Sequence, residues 1–353
     1  MQFSTAVTTT VRTLIPKKVY DTVTLGTPGL MTFLRTSKEW KTGYQYQPLI
    51  KYQDTTNGGV TGVADQLDSD RQNVRVNMTF NPKMAYKPVV VADIEQTLNM
   101  GDEQIVNLLD TEFDSQGQSL CNLMAQQLYT GNGTGNQWDS LLNAASDSTL
   151  FSTYAGLSRS TYSSINGYYL AATGAITLAK LATGFDATTV GMDEPDVLLT
   201  TKTLWSSYEA LLTPTLRATY QGYAAPNYDQ YGMRTAPSES MLGTQGFRAI
   251  TYRGAPVVKD EQIPSGKLFY VNTKYFGMRG IQIKGENYQT LNFKKTSDGV
   301  PAGVPGNVPS AKGFNFRVMM APVNQLSQVG YLTYAGDFVS ENPRLLGTLA
   351  AAS

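Results

Sequence analysis

The chain has 353 residues and a mass of 38.5 kDa, about two domains' worth and enough to bury a sizeable core. With 41% hydrophobic, 10% aromatic and 16% charged residues, it is too apolar and too weakly charged for a disordered polymer. Its 28 Lys and Arg balance its 28 Asp and Glu and it has no histidine, which argues against a surface built for duplex phosphates and excludes Ser-His-Asp, Cys-His and HExxH chemistry.

The first residues, Met1-Gln-Phe-Ser-Thr-Ala-Val, lack the basic start and apolar run of a signal peptide, and no stretch of eighteen apolar residues occurs, so neither export nor a membrane span is expected. Residues 1–40 are rich in Thr and carry Pro16, Gly26, Pro28 and Gly29, which predicts an extended arm with only short pieces of structure. From Gly43 to Gln53 the residues Tyr44, Tyr46, Ile50 and Tyr52 alternate with polar ones, and Arg71 to Phe80 repeats the pattern with Val74, Val76, Met78 and Phe80. The two runs predict a hairpin whose long polar connection, residues 54–70, forms a large mobile tip.

The clearest helical signal runs from Asn99, a plausible N-cap, to Tyr129. Ile105, Leu109, Phe113, Leu120, Met124 and Leu128 recur at helical spacing, and Gly131 and Gly133 close the element. Some thirty residues at 1.5 Å each make a rod of roughly 45 Å, with Gly117 marking a potential bend. Further helices are predicted over residues 175–188 and 202–212, and strands over 196–200, 247–253, 255–259, 267–272, 281–284, 314–320 and 327–339. Residues 297–313, dense in Gly and Pro, read as a solvated loop.

No motif in this order carries familiar chemistry. The run Gly131-Asn-Gly-Thr-Gly-Asn follows a helix instead of a strand and lacks the Lys-Ser/Thr ending of a phosphate loop, so a C-cap turn is favoured. Asp110, Glu112 and Asp114 read as a polar helix stripe, and Asp68, Asp70 and Asn73 as a solvated turn without the glycine and distal glutamate of a calcium loop. The hairpin aromatics have too few cations beside them for a nucleic-acid platform and favour packing or an interface. The lone Cys121 can close no intrachain disulfide, suits a reducing compartment and reads as a small buried hydrophobe. No catalytic residue, cofactor or metal is expected.

The succession of arm, long-tipped hairpin, long helix, mixed domain and closing strand resembles the Hong Kong 97-type coat protein of tailed bacteriophages. Three passages carry the likeness: Tyr154-Ala-Gly-Leu-Ser-Arg-Ser-Thr-Tyr162, with Ala155 where that family has a first glycine; Gly254-Ala-Pro-Val-Val258 with Phe269-Tyr-Val-Asn272; and the ending from Tyr331 through Asn342-Pro-Arg344 to Gly347. The resemblance implies an α+β fold with an N-terminal arm at 1–40, an extended loop at 41–83, a peripheral domain at 84–190 with a spine helix at 99–130, an axial domain at 191–320, and C-terminal strands at 321–353 returning to the peripheral domain. It also implies hexamers and pentamers of the chain tiling an icosahedral shell around DNA bound without sequence specificity, with the extended loop lying across a neighbour. Tyr44, Tyr46, Ile50, Val60, Asp68, Arg71, Val74 and Arg75 are then the candidate inter-subunit contacts.

Two departures from relatives refine this expectation. The arm leads directly to the hairpin, with no fused scaffolding segment of about a hundred residues, so a separate scaffolding protein and a portal are expected partners. No lysine lies between Lys51 and Lys83, so the loop lacks the residue that welds some shells covalently and noncovalent assembly is expected. The expected location is the virion, after assembly in the host bacterial cytoplasm. Alternatives are an encapsulin-type compartment with protein cargo, a carboxylate-dependent glycan hydrolase using Asp110 and Asp114, and a monomeric binding protein. The last leaves the hairpin edge without a partner.

Overall fold

A computed structural model describes residues 27–40, 43–63, 67, 69–94, 108–171, 174–212, 250–283, 288–290, 313–320 and 326–350. Residues 1–26 of the expected arm, 99–107 of the expected long helix and most of the Gly/Pro-rich stretch lie outside these.

The chain enters through helix α1, Pro28–Arg35, followed by strand β1, Lys38–Glu39. Pro28 and Gly29 do not break structure here. A proline in the first helical turn needs no donor and has the right φ, so it starts the helix. Leu30, Phe33 and Leu34, at helical spacing, are wholly buried, and the Phe33 ring meets Phe276 edge-on at 5.0 Å. Thr27 makes no side-chain cap; instead Asp260 accepts from the Gly29 amide at 3.0 Å and from the Tyr129 hydroxyl at 2.9 Å. Helix α1 and Trp40 thus pack into the core, where the sequence predicts an extended arm with short pieces of structure, while Lys38 and Glu39 stay exposed.

The hairpin strands β2, Leu49–Lys51, and β3, Arg75–Asn77, lead into β4, Lys83–Ala92. Sequence reasoning missed β4 because Pro88 interrupts it. Pro is tolerated there because β4 pairs with only one strand among the described residues. Helix α2, Leu108–Thr130, runs unbroken through Gly117 for about 34 Å and buries Leu120, Met124, Leu128 and Tyr129. The Gly-rich run after it is a turn, with Gly133 and Gly135 at φ +74° and +57°. The short helix α3, Leu141–Ala144, is capped by the Ser140 side chain.

Among the described residues, two six-stranded sheets share the core. After β5, Thr153–Tyr154, and β6, Leu157–Ser158, come β7, Tyr168–Ala171; α4, Leu178–Ala187; β8, Val197–Thr200; α5, Lys202–Leu211; β9, Ile250–Tyr252; β10, Ala255–Lys259; β11, Lys267–Val271; β12, Phe276–Gly280; β13, Tyr288–Thr290; β14, Phe314–Met320; β15, Ser327–Ser340; and β16, Gly347–Ala350. One sheet runs β1-β12-β15-β14-β13, with β4 antiparallel to β15 from Lys83↔Gly336 to Ala92↔Ser327. The other runs β7-β16-β11-β8-β10-β9. Its central strand β8 is buried on both faces: Leu198 joins the cluster with Leu181, Phe185, Leu204 and Tyr208 from α4 and α5, while Val197 and Leu199 join the larger core with α1, α2 and the first sheet.

Sheet membership departs from the sequence boundaries. The expected strand at 281–284 lies instead at Phe276–Gly280, with no strand over 281–283. Strands β12 to β14, from the 191–320 segment, join β4 and β15, while β7 from 84–190 and β16 from 321–353 join β8 and β11. Sheet partners are chosen by long-range pairing, which local periodicity does not encode.

Candidate assembly surface

The hairpin forms with the alternation read from the sequence. Tyr46 bridges Phe80, and Leu49, Ile50 and Lys51 pair with Asn77, Val76 and Arg75; the Tyr52 amide donates to the Val74 carbonyl at 3.1 Å. Near the body this ribbon is packed. Met78 and Phe80 are buried, the Tyr52 ring meets Tyr162 edge-on at 5.0 Å, and the Thr79 amide donates to the Ala155 carbonyl at 2.8 Å. Ala155 sits at φ +49°, a left-handed conformation that suits the glycine of the resembled motif better.

Beyond Tyr52 the contacts turn polar and belong to the ribbon itself. The Gln72 side chain accepts from the Thr56 amide at 2.9 Å, and the Asn57 side chain donates to the Asp70 carbonyl at 2.7 Å. Val60 and Val63 are as exposed as in an extended peptide, at 107% and 111%, and Leu67 is 72% exposed. Three apolar side chains thus project where the described residues of their own subunit offer them little burial.

Of the residues singled out from the sequence, Tyr44, Val60, Arg71 and Arg75 are exposed and Val74 is half-buried; Asp68 lies outside the described residues. Tyr46 and Ile50 differ from expectation: both pack against the core of their own subunit. They lie on the ribbon's inner face, at a point where it still lies over the body.

Two pins fix the hairpin base to the C-terminal half of β15 and the residue after it. On the first arm, the Tyr46 hydroxyl donates to Glu341 at 2.9 Å, Arg279 pairs with the same carboxylate, and the Arg279 guanidinium stands 4.1 Å from the Tyr46 ring centroid. Burial works against the Glu341 charge, yet the bonds from Tyr46 and Arg279 hold its carboxyl below the usual range. On the second arm, Lys83 donates to the Gly133 carbonyl at 3.1 Å and stands 3.8 Å from Asp337. Asp337 accepts from the amides of Asp139 and Phe338 on one oxygen, while its other oxygen accepts no hydrogen bond. Burial, followed by the neighbouring Asp139, pushes Asp337 well above the ordinary carboxylate value; burial also raises Asp139, against Lys83, Asn143 and Arg159.

Arg159, from the resembled motif, is fully buried close by. It donates to the Ser146 carbonyl at 2.5 Å, to the Ile165 carbonyl at 3.1 Å and to the Asn143 carbonyl, and lies over the Tyr154 ring. The lone Cys121 is buried and its thiol is pushed up to about 12 by that burial, which leaves it unreactive.

A second apolar surface escaped sequence reasoning. Met84, Tyr86 and Val90 line the open face of β4, beside Tyr331 of β15, whose ring meets Tyr86 at 6.1 Å. Ala85, Val89 and Val91 face inward, so the period of two was present in the sequence, masked by the Pro88 punctuation.

No family model matches the sequence, and no curated protein sequence matches it. Solved structures do. The capsid asymmetric unit of cyanophage A-1(L) superposes with a TM-score of 0.71 at 15% identity, covering 99% of both chains. The capsid of a native GTA particle gives 0.60 at 9% identity over 100% of this chain and 99% of that one. The chain has the Hong Kong 97-type capsid fold. The holo-SrpI encapsulin of Synechococcus elongatus PCC 7942 shares it, with a TM-score of 0.55 at 13% identity over 99% and 95% of the two chains. Identities this low establish shared architecture, and the mixed helix and sheet expected from the sequence is the architecture found.

Proposed function

We propose that this chain is the shell subunit of a tailed-phage capsid, assembling noncovalently through hexamers and pentamers around double-stranded DNA. The observation that carries the reading is the hairpin tip, whose Val60, Val63 and Leu67 stand largely exposed on their own subunit and need a neighbouring copy to leave water. Arg71 and Arg75, on the chain returning from that tip, and Tyr44, exposed at the hairpin base, are contacts in this reading, and the apolar face of β4 is a second one. The sheet holding β4 and β15, with α2, serves as the peripheral unit, and the sheet centred on β8 as the axial one. The subunit carries no catalytic role, and a separate scaffolding protein and a portal complete the assembly. Assembly takes place in the host cytoplasm.

The fold shared with an encapsulin favours a second reading, a compartment filled with protein cargo. Electron microscopy of purified particles, with analysis of their contents, separates the two: closed shells holding DNA support the capsid, and shells holding an enzyme support the compartment. A chain that stays monomeric with scaffold present overturns both. Boiling the particles in detergent should release a single 38.5 kDa band, and a ladder above it would refute noncovalent assembly.

A further inference from the structure

The hairpin meets the body at two pins of different character. The Tyr46 pin is a solvent-edged cluster in which one carboxylate, Glu341, faces one guanidinium, Arg279. The Lys83 pin is internal and lopsided. Two buried carboxylates, Asp337 and Asp139, lie beside one lysine, and Lys83 is the only member carried by the strand that continues from the hairpin.

The remaining charged and titratable groups around the carboxylates belong to the body. Tyr154 of β5 and Arg159, the residue after β6, approach Asp139, and Tyr334 approaches Asp337 from within β15. Asn143 donates to Asp139 at 3.2 Å, and Asp139 also packs under Gly133, whose carbonyl holds Lys83. When the hairpin base shifts, Lys83 withdraws and every other neighbour stays. The Asp337 oxygen that accepts no hydrogen bond, the one Lys83 stands beside, then loses its cation, while the other oxygen stays bonded to the Asp139 amide.

We infer that Lys83, Asp337 and Asp139 form a proton-linked hinge: displacement of the hairpin base from the body is coupled to uptake of a proton by the Asp337–Asp139 pair. The proton replaces the withdrawn ammonium, because two adjacent buried carboxylates do not both stay ionised without a cation. The sign follows from linkage. Removing a cation raises the proton affinity of the pair, so the displaced form binds protons more tightly and acid favours displacement. The Tyr46–Glu341–Arg279 pin holds the first arm and takes no part in this coupling. The hinge concerns anchorage within one subunit and stands whether or not the tip meets a neighbour.

The test is hydrogen–deuterium exchange on the full-length unassembled chain between pH 5 and 8, corrected for the intrinsic pH dependence of exchange. The reporters are segments containing Thr79, whose amide bonds across the hairpin boundary to Ala155, and Lys83–Ala92; strands β8 and β11 serve as reference. In the wild type, protection of the reporters should fall relative to the reference as pH is lowered, by up to about tenfold per pH unit for one linked proton. Lys83→Met and Asp337→Asn should each lower protection and make it independent of pH, whereas Glu341→Gln should loosen the first arm and keep the pH slope. A pH-independent wild type overturns the hinge, as does a slope that survives in Asp337→Asn. Should Asp337→Asn fail to fold, Lys83→Gln, at a side chain only 14% exposed but on the rim of the cluster, carries the same test.

Discussion

Phe33→Ala tests whether α1 is core or detachable arm. The Phe33 side chain is wholly buried and packs edge-on against Phe276 at 5.0 Å. A buried phenylalanine removes roughly 200 Å² from water, worth about 5 kcal/mol at ~25 cal/mol per Å², and alanine keeps only a minor share of that. Loss of the ring pair adds about 1 kcal/mol, and partial collapse of the site returns some of the total. The expected loss is therefore about 3–5 kcal/mol, a large part of the ~5–15 kcal/mol that holds a domain together. Guanidinium unfolding of the full-length subunit, followed by tryptophan fluorescence, reads it as a lower midpoint at unchanged slope. Trp40 and Trp138 both lie in this core. A loss below about 1 kcal/mol would mean that α1 does not belong to the cooperative core, and the placement of residues 28–40 would be wrong.

Three further outcomes are expected. A methyl group on Gly184 would sit 2.6 Å from the Tyr270 ring, so Gly184→Ala should cost about 1–3 kcal/mol by lifting α4 from β11, measured as a drop in melting temperature; an unchanged value would show that the helix yields freely. The chain has no histidine, and burial raises Asp139, Asp196, Asp260 and Asp337, so the native state binds more protons than the unfolded chain above the ordinary carboxylate value. Stability should accordingly rise as pH falls from 7 to 5, and part of the rise should vanish in Asp337→Asn; guanidinium midpoints that drop on acidification contradict this. Replacing Val60, Val63 and Leu67 together by Ser should leave the subunit's melting temperature within about 1 °C while lowering particle yield, because these side chains are largely exposed in their own subunit; equal yields by sedimentation would remove the tip from assembly.

The candidate surface was partly legible in the sequence. Alternation across residues 44–52 and 74–80 marked the ribbon, and the polar stretch between them marked a connection too long for a tight turn. The same alternation did not distinguish Tyr46, held by Glu341, from Tyr44, which stands in solvent at 84% exposure. Both are tyrosines two positions apart on one face. Which of them meets the body depends on where the ribbon leaves it.

Local pattern sufficed for whatever the chain settles within a few neighbouring residues: the apolar stripe of α2, the buried run of β8, the Gly-rich turn after α2, and the chemistry closed off by having no histidine and one cysteine. Tertiary structure decided the rest. It turned Pro28 from a breaker into a helix start capped by Asp260, 231 positions from Gly29 in the chain, and it paired β4 with β15 despite Pro88. It also brought the Tyr46 hydroxyl to Glu341 across 295 positions and enclosed Lys83 with two carboxylates. Periodicity records which side of an element shuns water, whereas the partner waiting on that side is set by long-range pairing and by the desolvation cost of every group enclosed with it.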